Sequence, residues 1–366
     1  MEIGVDMCVT PNAAKVAQRA EELGFDAMWF ADTPAVAGDL FVGMGAAAAV
    51  TKRIRIGAGV CVPWSRNPVV TACGFSTVNA LAPGRVDLAF GTGFSARRCF
   101  GLKPMKIRDF SAHVSAVMGL LRGEEVEVEV EGAMRGVKLM HPYTVNLEDP
   151  IKIHVAASGP KMKALVAELG VGSLDLPSMF ASDDSDTFND MRRFWHEAGR
   201  PAEDLHLWLT MSAVVLRGDE DVDSTRVREI GGPMAMATVH YWADEVMLNG
   251  NQLPEALPPS LHTAVDAYIK LMQSNNEPGA PYLKVHEGHG LFLRSDEAHI
   301  LNRDLMERGC FVGTPDQLRE RMHSLESSGA ELVVFSVMPG HEDAMDDFAK
   351  ALELKPPKTY STAKIT

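Results

Sequence analysis

The chain is 366 residues long, 46% hydrophobic and 23% charged, with a formal net charge of -14. That acidic balance weighs against a broad nucleic-acid or anionic-membrane surface, and no apolar run reaches the roughly 18 residues of a membrane span. Five cysteines (Cys8, Cys61, Cys73, Cys99, Cys310) are odd in number, far apart and without a Cys-x-x-Cys pair, which fits reduced thiols in a cytoplasmic protein.

Glu2 to Cys8 reads as a first strand rather than a basic-then-apolar leader, with Asp6 near its C-terminal end. Asn12 to Leu23 is an alanine-rich helix closed by Gly24, and Asp26 to Asp32 is the second strand. Leu40 to Thr51 is a helix. Ile54 to Val60 is a third, buried strand whose Gly57 and Gly59 call for a close neighbour, either backbone or a flat ligand. After a turn through Cys61, Trp64 and Arg66, Asn67 caps a helix with Pro68 at its first position. That helix runs to about Leu81, and Arg85 to Phe90 is the fourth strand, ending in Gly91-Thr92-Gly93. Short connections around this unit imply a parallel pair with a crossover helix. A loop from Gly93 to Pro104 leads into a helix ending near Arg122.

Residues 125–139 break the pattern. Glu125 to Glu131 alternates strictly and Gly132 turns the chain, so a solvated hairpin is inserted before strand five. Strand five is Ile151 to Ala156, with its helix from Pro160 to Leu169; strand six is Gly172 to Leu176, with its helix from Asp184 to Ala198; strand seven is Leu205 to Leu216. Residues 219–310 hold helical stretches near 221–230, 234–248, 261–273 and 296–307, separated by pieces such as Leu257-Pro258-Pro259 and Asn276-Glu277-Pro278-Gly279. That is too long for an ordinary loop and reads as a lid over one end. Thr314 to Ser328 is a helix, Glu331 to Val337 strand eight and His341 to Leu352 the last helix. Eight strands alternating with helices are the signature of a (β/α)8 TIM barrel in the α/β class, here one domain over 1–354 with a polar tail at 355–366.

In such a barrel the strand C-terminal ends carry the chemistry. Ala156 to Lys161 joins a strand to a helix start; its free N–H groups, Ser158 and Lys161 suit a cofactor phosphate, and a plain helix cap is an equally weighted reading. Gly91-Thr92-Gly93-Phe94-Ser95-Ala96 matches the dinucleotide glycine pattern, but no clear acidic strand end follows roughly 20 residues on, so a glycine-lined barrel mouth is favoured. Cys61 faces either the pocket or the core. Asp6 and Asp32 could serve as acid–base groups or orient backbone and arginine. The histidines show no metal spacing, and those at 240 and 286–289 read as surface groups of the lid. No nucleophile elbow is present.

The chain resembles the luciferase-like monooxygenase superfamily, barrels that bind reduced FMN or the deazaflavin F420. The resemblance is carried by Gly24 to Asp32, Ile54 to Val60 with Arg66-Asn67-Pro68, Leu81 to Val86, Gly91-Thr92-Gly93, Ala156 to Pro160 and Gly313-Thr314-Pro315. It is nearest to the F420-dependent methylenetetrahydromethanopterin reductases and sugar-phosphate dehydrogenases. It implies a non-prolyl cis peptide within Gly59-Val60-Cys61 behind the cofactor ring, Gly91 and Gly93 at the mouth, and phosphate held at Ala157, Ser158 and Gly159, with Lys161 nearby. Asp6, Asp32 and Trp64 would shape the substrate side. Two positions depart from the F420 dehydrogenases: Thr33 stands in place of a histidine and Phe94 in place of an acid. The first expectation is therefore a monooxygenase taking reduced FMN from a separate reductase and using oxygen on a small organic substrate. The alternative is hydride transfer with F420, and a third is a catalytically silent barrel subunit. A homodimer, with no metal, nucleic acid or membrane partner, is expected from the same resemblance and composition.

Overall fold

A computed structural model describes residues 1–176, 184–255, 257–274 and 281–356. In chain order its strands are β1 (Glu2–Cys8), β2 (Ala27–Ala31), β3 (Arg55–Cys61), β4 (Val86–Phe90), β5 (Val126–Val130), β6 (Ala133–Val137), β7 (Lys152–Ala156), β8 (Gly172–Asp175), β9 (Leu207–Val215), β10 (Phe311–Gly313) and β11 (Leu332–Ser336). The helices are α1 (Ala13–Leu23), α2 (Leu40–Val50), α3 (Pro68–Leu81), α4 (Phe94–Arg98), α5 (Ile107–Leu121), α6 (Pro160–Leu169) and α7 (Asp184–Glu197). They continue with α8 (Thr225–Leu248), α9 (His262–Ser274), α10 (Pro281–Val285), α11 (Arg303–Gly309), α12 (Pro315–Ser327) and α13 (Ala344–Ala351).

Among the described residues, β1, β2, β3, β4, β7, β8, β9 and β11 pair in parallel in that order, and β11 returns to β1. This is a closed (β/α)8 barrel. Its local signals act as the sequence suggests. The Asn67 side chain accepts from Val69 N–H with Pro68 at the first helical position. Thr314 and Gln317 form a reciprocal capping box on α12. β5 and β6 form the antiparallel hairpin, joined by Glu131 and Gly132, both with positive φ.

The glycines of β3 have a specific neighbour. A Cβ on Gly57 would run into the indole of Trp29, and one on Gly59 would sit 2.6 Å from Trp29 Cε3. The flat group those glycines make room for is therefore a tryptophan of the adjacent strand. Trp29 packs inside the barrel against Trp208, ring centroids 5.2 Å apart, and its Nε1–H donates to buried Asp87 at 3.2 Å. Outside the barrel, a second apolar layer packs the strands against the surrounding helices.

The insertion differs from its expected form. The stretches near 221–230 and 234–248 are one helix, α8, which runs through Pro233. Tertiary packing overrides the Gly-Gly-Pro break: a Cβ on Gly231 would meet Met306 and Cys310, and one on Gly232 would meet Leu301, so the small residues let α11 and its lead-in lie close. The expected helix at 296–307 is shorter and later, Arg303–Gly309, because Asn302 caps it through Leu305 N–H. The loop after Gly93 contains α4. The insertion has its own apolar cluster, including Val227, Val239, Tyr268 and Met306. Asn276 to Gly279 and the tail from 357 lie outside the described residues. No described helix is long and apolar enough to cross a membrane.

Candidate active site

A cavity of about 570 Å³ opens at the C-terminal ends of the strands, under α8. β1 brings Asp6 and Cys8 to it, β3 brings Gly59 and Val60, and the segment after β4 brings Gly91 to Ala96. The β7–α6 loop adds Ser158 and Gly159, and the insertion adds Met234, Tyr241, His289 and Leu291. Parallel strands all end on one side, so segments far apart in sequence converge there.

One wall is backbone. The Gly59–Val60 peptide is cis, inside the expected triplet. Gly91 lies tight against it, since a Cβ there would sit 2.6 Å from Val60 Cγ2. Gly93 has φ +81°, a conformation L side chains rarely adopt. Cys61 is buried in the core layer and does not line the cavity. Burial, with Asp32 nearby, pushes its thiol well above the usual range, so it is an inert packing group.

After the neighbouring β7, Gly159 precedes α6 and no side chain caps that helix. Nothing lies within 4 Å of a Cβ built on Gly159. The helix start is thus free to meet an anion through N–H groups. Ser158 and Gly159 line the cavity, whereas Ala157 is fully buried behind it. Lys161 is exposed on α6 and does not line the cavity; Lys163 is buried with Nζ 3.6 Å from Asp190.

The carboxylates divide. Asp6 faces the cavity and accepts from Ser336 Oγ at 2.9 Å. Burial raises its pKa to about 6, against the lowering effect of that hydrogen bond. Asp32 also reaches the cavity, but its Oδ2 accepts both Val62 N–H at 3.0 Å and Arg66 Nη1 at 2.7 Å. Arg66 continues to Asp39 Oδ2 at 3.1 Å, and Asp39 caps α2. Asp32 therefore clamps the turn after β3. Trp64 lies off the cavity, edge-on to Phe100 at 4.9 Å with Arg97 over its ring.

The histidines at 240, 286 and 289 are not surface groups. His240, His286 and His289 are all buried. His289 Nε2 is 2.7 Å from Ser95 Oγ, its Nδ1 is 2.9 Å from His240 Nδ1, and His240 Nε2 is 2.9 Å from Glu297 Oε2. His286 pairs with Asp244 at 3.1 Å. Phe94 packs against Tyr241 and His289, tying the β4 segment to the lid. No spacing in sequence signals this group. The one available clue was the density of histidine at 286–289 beside apolar residues. No metal-holding group of His, Cys, Asp or Glu occurs among the described residues.

Comparison with known proteins agrees with this architecture. Residues 9–332 match the model of the luciferase-like monooxygenase family. An F420-dependent glucose-6-phosphate dehydrogenase of Beutenbergia cavernae is 26% identical over 308 residues, 78% of this chain and 88% of that protein. A 5,10-methylenetetrahydromethanopterin reductase of Methanolobus tindarius is 29% identical over 181 residues, 48% of this chain and 53% of that protein. The solved coenzyme F420 dependent tetrahydromethanopterin reductase of Methanopyrus kandleri has the same fold, with TM-score 0.64 and 18% identity over 97% of this chain and 99% of that one. With a strand-end cavity, a family match over nearly the whole barrel and oxidoreductases among its relatives, the chain belongs to the luciferase-like monooxygenase family and is an oxidoreductase.

Proposed function

We propose that the chain transfers hydride between the deazaflavin F420 and a small uncharged organic substrate. The observation that carries this choice over reduced FMN and oxygen is the F420 dependence of a relative that aligns with 78% of the chain. The residues fit such a group. An uncapped helix start with open space at Gly159 suits a phosphate, and the close backbone of Val60 and Gly91 presents a flat wall. When bound, the cofactor supplies the hydride chemistry; the protein positions it and keeps water out. Supply of reduced cofactor by a separate reductase belongs to the same reading.

The substrate class is read from the lining. Met7, Val36, Met234, Leu291 and Met338 are apolar, and no Lys or Arg lines the cavity among the described residues. A phosphorylated sugar would lack a cationic partner at the substrate wall. This separates the proposed substrate from the one in the relative's name.

Anaerobic titration with F420 and with reduced FMN, followed by an oxygen pulse, tests the reading. Saturable F420 binding with no oxygen-dependent species is expected. Tight FMN binding with a transient absorbance after oxygen would return the monooxygenase reading instead.

A further inference from the structure

Four side chains from three distant segments form one hydrogen-bonded line from the cavity wall into the lid core: Ser95, His289, His240 and Glu297. Ser95 and His289 line the cavity. His240 and Glu297 are each 1% exposed. Buried polar groups in a continuous line constrain one another, so the direction of each bond can be worked out.

A carboxylate only accepts, so His240 carries its proton on Nε2 and donates to Glu297 Oε2. In neutral His240 the other nitrogen, Nδ1, is then an acceptor. The 2.9 Å contact between the two Nδ1 atoms requires one donor, which places the proton of His289 on Nδ1. His289 Nε2 is left with a lone pair and accepts the Ser95 hydroxyl proton at 2.7 Å. With His240 neutral, every bond points inward, from Ser95 to Glu297. Burial holds His289 well below the ordinary histidine range, which keeps that ring neutral. The groups facing the line are His286 with its partner Asp244, Tyr268 beside His240, and Arg294, whose backbone N–H donates to Glu297 Oε1 at 3.3 Å.

We propose that Ser95 is the catalytic residue that exchanges the substrate's hydroxyl proton, and that His289, His240 and Glu297 are positioning residues that relay it to and from the lid core. This rests on the hydride-transfer reading of the cavity. In the oxidative direction the substrate is an uncharged alcohol. The hydrogen on its carbinol carbon would leave with both bonding electrons, as hydride, to the deazaflavin the cavity would hold, and its O–H proton would go to Ser95 Oγ. The Ser95 proton passes to His289 Nε2, the Nδ1 proton to His240 Nδ1, and the Nε2 proton to Glu297. The product is the carbonyl compound, and the same line in reverse protonates a carbonyl oxygen. After product leaves, the proton returns through Ser95 to cavity water. Phe94, which also lines the cavity, has no proton to exchange.

The first arm needs no cofactor. In the apo protein labelled with nitrogen-15 in histidine, NMR should find His289 neutral and protonated on Nδ1, and His240 protonated on Nε2. Protonation of His289 on Nε2 would overturn the relay. The second arm uses F420 with cyclohexanol. Ser95→Ala and His289→Gln should each lower kcat about 100-fold or more, with F420 affinity changed less than about twofold. Glu297→Gln, which keeps the shape, should lower kcat and move its pH profile. Ser95→Ala is a small change, so it stays informative if His289→Gln fails to fold. Full turnover by Ser95→Ala together with loss of turnover in Asp6→Asn would overturn the relay in favour of Asp6. Failure of the wild type to bind F420 would sink the cofactor reading; the relay is then decided by the apo tautomers and by whether cyclohexanol shifts the His289 Nε2 resonance, an unmoved resonance overturning it.

Discussion

Asp32 and Arg66 form an ion pair at 2.7 Å, with the Asp32 side chain 2% and the Arg66 side chain 12% exposed. The same carboxylate oxygen holds Val62 N–H. The pair thus locks the turn that follows the cavity-facing wall of β3. Removing one partner of a buried pair leaves an uncompensated charge and costs about 3–5 kcal/mol. Arg66 keeps Asp39, so Asp32→Ala should cost about 3 kcal/mol in urea denaturation. Arg66→Met combined with Asp32→Ala should cost clearly less than the sum of the two singles. Strict additivity would mean the pair does not couple.

Gly57→Ala should destabilise the fold by about 1–3 kcal/mol, because the new methyl meets the Trp29 indole inside a packed barrel. Gly159→Ala, with open space at its Cβ, is the control and should change stability by under about 0.5 kcal/mol. Thermal unfolding of both variants checks this. Equal losses would show that β3 has slack the structure does not show.

Gly159→Asp separates binding from stability. Aspartate is a good N-cap, so stability should rise by a few tenths of a kcal/mol. The same carboxylate would face the phosphate of the proposed cofactor and weaken binding by like-charge repulsion. Calorimetric titration should read a loss of about tenfold or more in F420 affinity, from roughly 1.4 kcal/mol of repulsion. Unchanged affinity would remove the α6 start from the phosphate site.

Asp6 makes stability depend on pH. Its folded pKa of about 6 lies above its ordinary 3.8. A raised carboxyl binds its proton more tightly in the folded state than in the unfolded one. Its favourable contribution is complete below pH 3.8 and is lost as pH rises through about 6. At about 1.4 kcal/mol per pKa unit the loss is at most about 3 kcal/mol, reduced by water entering the cavity. Asp6→Asn should therefore stabilise the protein by about 1–2 kcal/mol at pH 7.5, a gain that shrinks toward pH 4. The same gain at both pH values would show that desolvation of the carboxylate is not the cause.

Much of this architecture was legible before folding. The alternation of apolar runs with capped helices set the eight strands, because hydrophobic period and caps are local properties. Asn67-Pro68, Gly24 and Thr314 all end or begin helices where their chemistry requires. The glycines of β3 announced a close neighbour, and β2 supplied it. One fact of the fold was not local. Gly231-Gly232-Pro233 reads as a break, yet contact with the α11 region outweighs the weak propensity and α8 continues.

The site divides in the same way. Position along the chain was enough to place Asp6, Gly59, Gly91, Ser158 and Gly159 at the strand ends, because in a parallel barrel strand direction determines which end a loop occupies. Whether a side chain there faces the cavity, the core or a partner depends on packing, which is why Cys61, Trp64 and Lys161 turn away and Asp32 is bound to Arg66. The Ser95–His289–His240–Glu297 line is the extreme case. Its links span 194, 49 and 57 residues. Hydrogen bonds between side chains so distant leave no periodic trace in sequence; they exist because burial of the lid's apolar face brings those segments within about 3 Å, the ordinary hydrogen-bond distance.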